Sequence, residues 1–133
     1  MADRGVTQAY WEAFAALAEV YLEDSWVLGI RIHQNSVIFR LEAVLTAGHQ
    51  LYRPPSCGNQ HCYRRASMTV RSDRPLSLRR SGQPPAVDAS GEVDLGNIDT
   101  LVRVAGTAPD VWQLNGDWGE LLAIDTAILL ELD

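Results

Sequence analysis

The chain has few of the residues from which disulfide, metal or membrane structures are built. Its 133 residues include no lysine, two cysteines and three histidines. No apolar run approaches the roughly 18 residues that a membrane-spanning helix needs. The first residues also lack the basic-then-apolar order of a secretory signal. We therefore expect a cytoplasmic protein with no membrane partner.

Sequence signatures of catalysis are missing as well. The chain has no G-x-S-x-G elbow, no H-E-x-x-H pair and no glycine-rich phosphate loop. We therefore expect no cofactor and a non-catalytic protein. A small enzyme stays open as the alternative, because catalytic groups assemble in space and need no fixed spacing.

Charge is divided unevenly along the chain, whose formal net charge is −6. Residues 53–80 hold seven arginines and one acid, and residues 81–133 hold one arginine and ten acids. Blocks of opposite sign in one small protein tend to face one another or to pattern separate surfaces. The overall acidity repels polyanions, so nucleic acid is disfavoured, while the arginine block leaves a local anion site open.

Apolar periodicity predicts one helix near the N-terminus. Residues 7–22 are rich in alanine, and Thr7 is a suitable N-cap. Aromatic and aliphatic residues recur there at three- and four-residue spacing, namely Tyr10, Phe14, Leu17 and Tyr21. We expect this face to pack on a sheet, and the helix to end at the polar residues 23–25.

After Ser25 the period changes to two, which is typical of strands. Strands are predicted at 26–32, 37–45, 62–71, 76–78, 98–104, 110–114, 118–124 and 128–132. Residues 34–36 and 115–117 are expected to form hairpin turns, the second through an Asn-Gly pair. The prediction is one α+β domain over residues 1–133, with the N-terminal amphipathic helix packed on an antiparallel, mostly meandering β-sheet or flattened barrel.

One segment has the composition of a metal site. Cys57, His61 and Cys62, with His49 upstream, are residue types that bind Zn²⁺. The usual doubled ligand pairs are absent, and His61 and Cys62 are adjacent, so an extended chain would point them to opposite faces. The alternative is an exposed Cys57 and His61 followed by a Cys62 that faces the core.

Acidic and aromatic residues near the C-terminus suggest a protein interface. Tryptophans with a charged rim are common anchors at such interfaces. The candidate residues are Asp110, Trp112, Asp117, Trp118 and Glu120. They predict a basic protein partner, with core packing of the tryptophans as the alternative. The sequence leaves the oligomeric state open.

Several short strings give the chain a resemblance to known sequences. They lie at residues 21–28, 39–42, 49–55, 62–64, 94–99 and 114–119. In these strings the chain resembles small bacterial families of unassigned function, among them compact proteins similar to the immunity partners of contact-dependent toxins. The resemblance implies a bacterial cytoplasmic single domain with an immunity-like binding role, and it implies no active-site residue.

Overall fold

The chain folds mainly into β-structure. A computed structural model describes residues 9–55, 60–82, 86–87, 93–106 and 109–133. Strands make up 56% of the structure. The elements are α1 (Tyr10–Ala13), a 3₁₀ turn (Ala15–Leu17), β1 (Val20–Ile32), β2 (Ser36–Leu45), β3 (Cys62–Arg71), β4 (Ser77–Arg80), β5 (Ala86–Val87), β6 (Val93–Asp94), β7 (Thr100–Arg103), β8 (Val111–Gly116), β9 (Gly119–Ile124) and β10 (Ala127–Leu132).

Two four-stranded antiparallel sheets share one hydrophobic core. The first sheet has the order β1-β2-β3-β10 and the second the order β4-β9-β8-β7, while β5 and β6 pair separately. Buried side chains of both sheets belong to a single cluster. The antiparallel pairing was predicted correctly, but the α+β class was wrong.

The long N-terminal helix is the element that the sequence predicted wrongly. Within the described part of this segment, one helical turn and one 3₁₀ turn form, and strand β1 begins at Val20. Phe14 and Ala18, both with extended backbone, end the two helical turns. Glu19 follows with φ at 60°, and its carbonyl accepts the N–H of Thr46. Pairing with β2 thus overrides the helix propensity of the alanine-rich segment. Thr7, the expected cap, lies outside the described residues.

The short N-terminal segment still buries most of its predicted face. Tyr10, Phe14 and Leu17 are buried, whereas Tyr21 is 41% exposed because it lies on the outer face of β1. The Phe14 ring meets the Trp112 ring of the second sheet edge-on, with centroids 4.7 Å apart. The segment therefore closes one side of the core, although it does not cover a sheet as a helix. No helix among the described residues is long and apolar enough to span a membrane.

Strand β2 fixes the orientation of the first sheet. Its residues Val37, Phe39, Leu41 and Ala43 are fully buried, as the alternation predicts. The expected β1–β2 hairpin forms, closed by the His33 N–H donating to the Ser36 carbonyl at 2.8 Å. A one-residue slip of β2 would turn this apolar face to solvent, so the register is strongly specified.

The second predicted hairpin forms with its turn moved along the chain. Asn115 and Gly116 are the last residues of β8, and Asp117 and Trp118 form the connection to β9. Trp118 folds back into the core, where its ring lies 5.0 Å from that of Phe39 and its Nε1–H donates to the Asn97 carbonyl at 3.1 Å. Gly116 thus provides room for this indole, which is a different role from the turn conformation expected of it.

We expect Gly116→Ala to destabilise the protein strongly. A Cβ there would lie 2.2 Å from the Asn97 carbonyl oxygen and 2.3 Å from Trp118 Nε1. Relieving such overlap requires main-chain movement, which costs about 1–3 kcal/mol of unfolding free energy or more.

Gly29→Ala is the matched control for this prediction. It also changes a strand glycine, but the new Cβ would meet its nearest neighbour, Arg40 Cβ, at an ordinary 3.8 Å. Chemical denaturation should show a large loss for Gly116→Ala and little change for Gly29→Ala. Equal stabilities of the two variants would contradict this account of the β8–β9 turn.

Candidate functional site

The larger of two register irregularities in β1 is a bulge that projects polar groups from the sheet. Five residue steps from Tyr21 to Trp26 lie opposite only two steps of β2, from Val44 to Glu42. The Ser25 hydroxyl fills the gap, donating to the Tyr21 carbonyl at 2.8 Å and accepting the Val44 N–H at 2.9 Å. Ser25 is fully buried, so this hydroxyl replaces ladder bonds that the extra residues remove.

The bulge places an acid next to the histidine that precedes β3. Asp24 Oδ2 lies 3.0 Å from His61 Nε2, and His61 immediately precedes β3. The His61 ring also meets the Tyr63 ring edge-on, with centroids 5.8 Å apart. The pair links β1 to the start of β3 across the end of β2.

Two contacts hold the loop that follows β2 against this end of the sheet. At its start, Glu19 Oε1 accepts the Gly48 N–H at 3.2 Å and the Thr46 hydroxyl. At its far side, the Arg53 N–H donates to Cys62 Sγ at 3.4 Å. These contacts fix the loop as a wall, with Arg53 at its rim.

Between this loop and strands β2 and β3 lies a cleft of about 380 Å³, which we call the loop cleft. It is lined by Glu42, Leu51, Arg53, Pro54, Pro55, His61, Cys62, Tyr63 and Arg64. Its volume lies within the 300–1,000 Å³ that is usual for small-ligand sites. A smaller pocket of about 210 Å³ adjoins it and shares Pro55, His61 and Cys62.

Charges around the loop cleft are only partly neutralised. Glu42 Oε2 is 3.3 Å from Arg65 Nε. Arg64 donates from Nε and Nη2 to the main-chain oxygen of Asp133, at 3.2 and 2.8 Å. Arg53 is exposed, and among the described residues its guanidinium forms no ion pair. The arginine block of the sequence thus reaches the rim of the cleft.

The residues of the predicted metal site are placed in different settings. Cys62 is a free, half-buried thiol packed against the core, His61 pairs with Asp24, and His49 Nδ1 accepts the Leu51 N–H at 3.0 Å. Cys57 lies outside the described residues. Within the described part of the chain, no three His, Cys, Asp or Glu side chains group closely enough to hold a metal ion.

The predicted partner-binding residues are dispersed. Trp112 and Trp118 are 5% and 3% exposed, so both belong to the core, and the expectation of an exposed tryptophan anchor here is wrong. Their large apolar surfaces are buried between the sheets, which is the core packing that the sequence analysis gave as the alternative. Asp110 Oδ1 lies 3.6 Å from Arg103 Nη1, and Asp117 is exposed in the β8–β9 turn.

Glu120 is half-buried beside Arg79. Its Oε1 accepts from Arg79 Nη2 at 2.9 Å and its Oε2 accepts from the Gln113 amide. These hydrogen bonds, that from Arg79 first, lower the pKa of Glu120 below its ordinary value. Here residues from the basic and acidic blocks of the sequence face one another.

Sequence reasoning missed Asp24, Arg53 and Tyr63 as members of a site. Asp24 belongs to a polar trio that the helical reading placed at a helix end. A strand reading was available, because apolar and aromatic residues stand on both sides of the trio, at 20–22 and 26–28. A polar interruption between two such runs is a signal of a bulge.

Comparison with protein-family models, with curated proteins and with solved structures finds no significant match. The resemblance to immunity-type proteins therefore stays a prediction, and the geometry of the site carries the functional argument.

We expect Ser25→Ala to lower the free energy of unfolding by about 1–3 kcal/mol, because the Val44 N–H loses its acceptor in a buried position. The change should also shift the NMR resonances of the His61 ring, since the bulge positions Asp24. Ser77→Ala, in exposed strand β4, is the control and should change stability by less than about 0.5 kcal/mol. A Ser25→Ala variant as stable as the control would refute the role of the hydroxyl.

Proposed function

We propose that the protein is a non-catalytic binding protein that recognises a short segment of a partner polypeptide in the loop cleft. The observation that carries the proposal is the convergence of apolar walls and polar groups on one cleft. Leu51 and Tyr63 supply apolar surface, and Arg53, His61 and Glu42 supply charged or polar groups. The lining of the cleft is somewhat more polar than apolar, so the charged groups would give much of the specificity, and Leu51 and Tyr63 the apolar contacts.

The residue types at the cleft support a polypeptide ligand. Tyrosine and arginine are enriched among the residues that dominate protein interfaces, and Tyr63, Arg53 and Arg64 line the cleft. Leu51 is 42% exposed, so a bound apolar side chain would remove its surface from water. Hydrogen bonds at Gly48 and Arg53 hold the described part of the loop wall, which reduces the entropy lost on binding.

Near the β8–β9 turn, one observation favours a second candidate, a basic protein partner. Burial, and then the neighbouring charge of Asp117, raise the pKa of Asp99 above its ordinary value. A cationic side chain placed between these two acids would relieve their repulsion. If a basic partner binds the acidic C-terminal half, we expect Asp99 and Asp117 to contribute more than Asp110 and Glu120, which already have arginine neighbours.

The first test selects peptides from a random heptapeptide library against the protein. We expect the selected peptides to lose about tenfold in affinity, equivalent to about 1.4 kcal/mol, when Leu51 is replaced by serine. Leu129→Ser is the matched control, because Leu129 is similarly exposed, at 47%, on a different part of the first sheet. Its affinity for the peptides should stay unchanged, as measured by calorimetry.

Two results would overturn the cleft as the binding site. One is that the library yields no peptide enriched over an unrelated control protein. The other is that the selected peptides bind the Leu51→Ser and Leu129→Ser variants equally well.

The second candidate predicts a pH-dependent effect of Asp117→Asn. Because the folded-state pKa of Asp99 is raised, its ionisation opposes folding, and stability is lost as pH rises through that pKa. Removing the Asp117 charge should therefore raise stability slightly at neutral pH, by less than about 0.5 kcal/mol since both groups are largely solvated.

At acid pH, where Asp99 is protonated and carries no charge for Asp117 to repel, the Asp117→Asn difference should vanish. Asp110→Asn removes the ion pair with Arg103, so this variant should show no gain in stability at any pH. Thermal melts of the three proteins between acid and neutral pH check this. A gain for Asp117→Asn that persists in acid would exclude charge repulsion as its cause.

A further inference from the structure

We infer that the segment bound in the loop cleft carries a single carboxylate, which pairs with Arg53 and Arg64. This inference rests on the proposed function of the cleft and adds the charge of the ligand. It differs from the sequence-based expectation of a basic partner, which concerned the C-terminal half of the chain.

The charges lining the cleft leave an excess of positive charge. Glu42 faces Arg65, and His61 is paired with Asp24. Arg64 is held by the Asp133 main-chain oxygen through Nε and Nη2, so its orientation is set while further guanidinium protons stay available. Arg53 stands at the rim with no ion pair among the described residues.

The positions of the two arginines suit recognition of a carboxylate. Both arginines are among the residues that line the cleft, and the main chain at Arg53 is fixed by the bond to Cys62 Sγ. Guanidinium donors match the geometry of a carboxylate and make stronger hydrogen bonds to it than to a neutral acceptor. Tyr63 and Leu51 would then contact the apolar part of the same ligand.

The charge of the whole molecule limits how much negative charge the ligand carries. The formal net charge is −6, Glu42 lines the cleft, and Asp24 is paired with the His61 that lines it. A polyanion such as nucleic acid would be repelled over distances of about 8–10 Å, the screening length of physiological salt. One carboxylate needs only the short-range arginine contacts, so a singly charged peptide is favoured.

Three blocked dipeptides test whether the ligand carries a carboxylate and whether that carboxylate is a C-terminus or a side chain. The first is N-acetyl-Leu-Trp with a free C-terminal carboxylate, the second is its C-terminal amide, and the third is N-acetyl-Glu-Trp-amide, with a side-chain carboxylate. Each is titrated into the ¹⁵N-labelled protein at millimolar concentration, and the shifts of Tyr63 and Cys62 report binding. We expect one or both acids to bind about five- to tenfold more tightly than the neutral amide.

Arg53→Gln should abolish this preference without weakening the neutral amide. Arg74→Gln is the control, because Arg74 is an exposed arginine that does not line the cleft. Added salt should weaken the acids and leave the amide unaffected. If only the free-acid dipeptide is preferred, the ligand presents a C-terminus; if only the glutamyl dipeptide is preferred, it presents an acidic side chain.

The failures of the two proposals are distinguishable. Equal binding of acids and amide at the cleft, or a preference that survives Arg53→Gln, overturns the carboxylate inference and leaves the binding function intact. If none of the three dipeptides shifts the cleft resonances, both proposals are wrong.

Discussion

The difference in length between the two strands of the first hairpin is the constraint on which the rest of the structure depends. Strand β1 has 13 residues and β2 has 10, so β1 cannot pair along its whole length without a bulge. The buried Ser25 hydroxyl compensates for ladder hydrogen bonds that the bulge removes, because it binds both a carbonyl and an N–H of the hairpin. The bulge also brings Asp24 to His61, one of the residues that line the loop cleft.

The two sheets are joined by aromatic side chains that come from connections as well as from strands. Trp118 leaves the β8–β9 turn to contact Phe39 of the first sheet, and Phe14 leaves the N-terminal segment to contact Trp112 of the second. Edge-to-face ring pairs of this kind stabilise by about 0.5–1.5 kcal/mol beyond the burial of their area. The two tryptophans that the sequence suggested for partner binding thus pack in the core and join the sheets.

Pairing of charges within the protein explains why the loop cleft, and not the acidic C-terminal half, is the better binding site. Acids of that half lie on different elements, and several face arginines, as Glu120 faces Arg79 and Asp133 faces Arg40. Pairing with arginines within the protein lowers the pKa values of Glu120 and Asp133 and neutralises their charges. Arg53, by contrast, has no such partner among the described residues, and it stands beside apolar surface.

By itself the sequence determined the approximate positions of eight strands, the two hairpins and the inner face of β2, because a period of two and short turn residues act over a few neighbours. It did not determine that residues 20–22 join a strand, since the alanine-rich segment has a local preference for helix and only pairing with Val44 and Leu45 of β2 opposes it. Nor did it place Asp24 beside His61, or Arg53 beside Tyr63. These contacts join residues beyond the range of a local sequence pattern. Only the packed sheets determine them, through the bulge at Ser25 and the loop bond to Cys62.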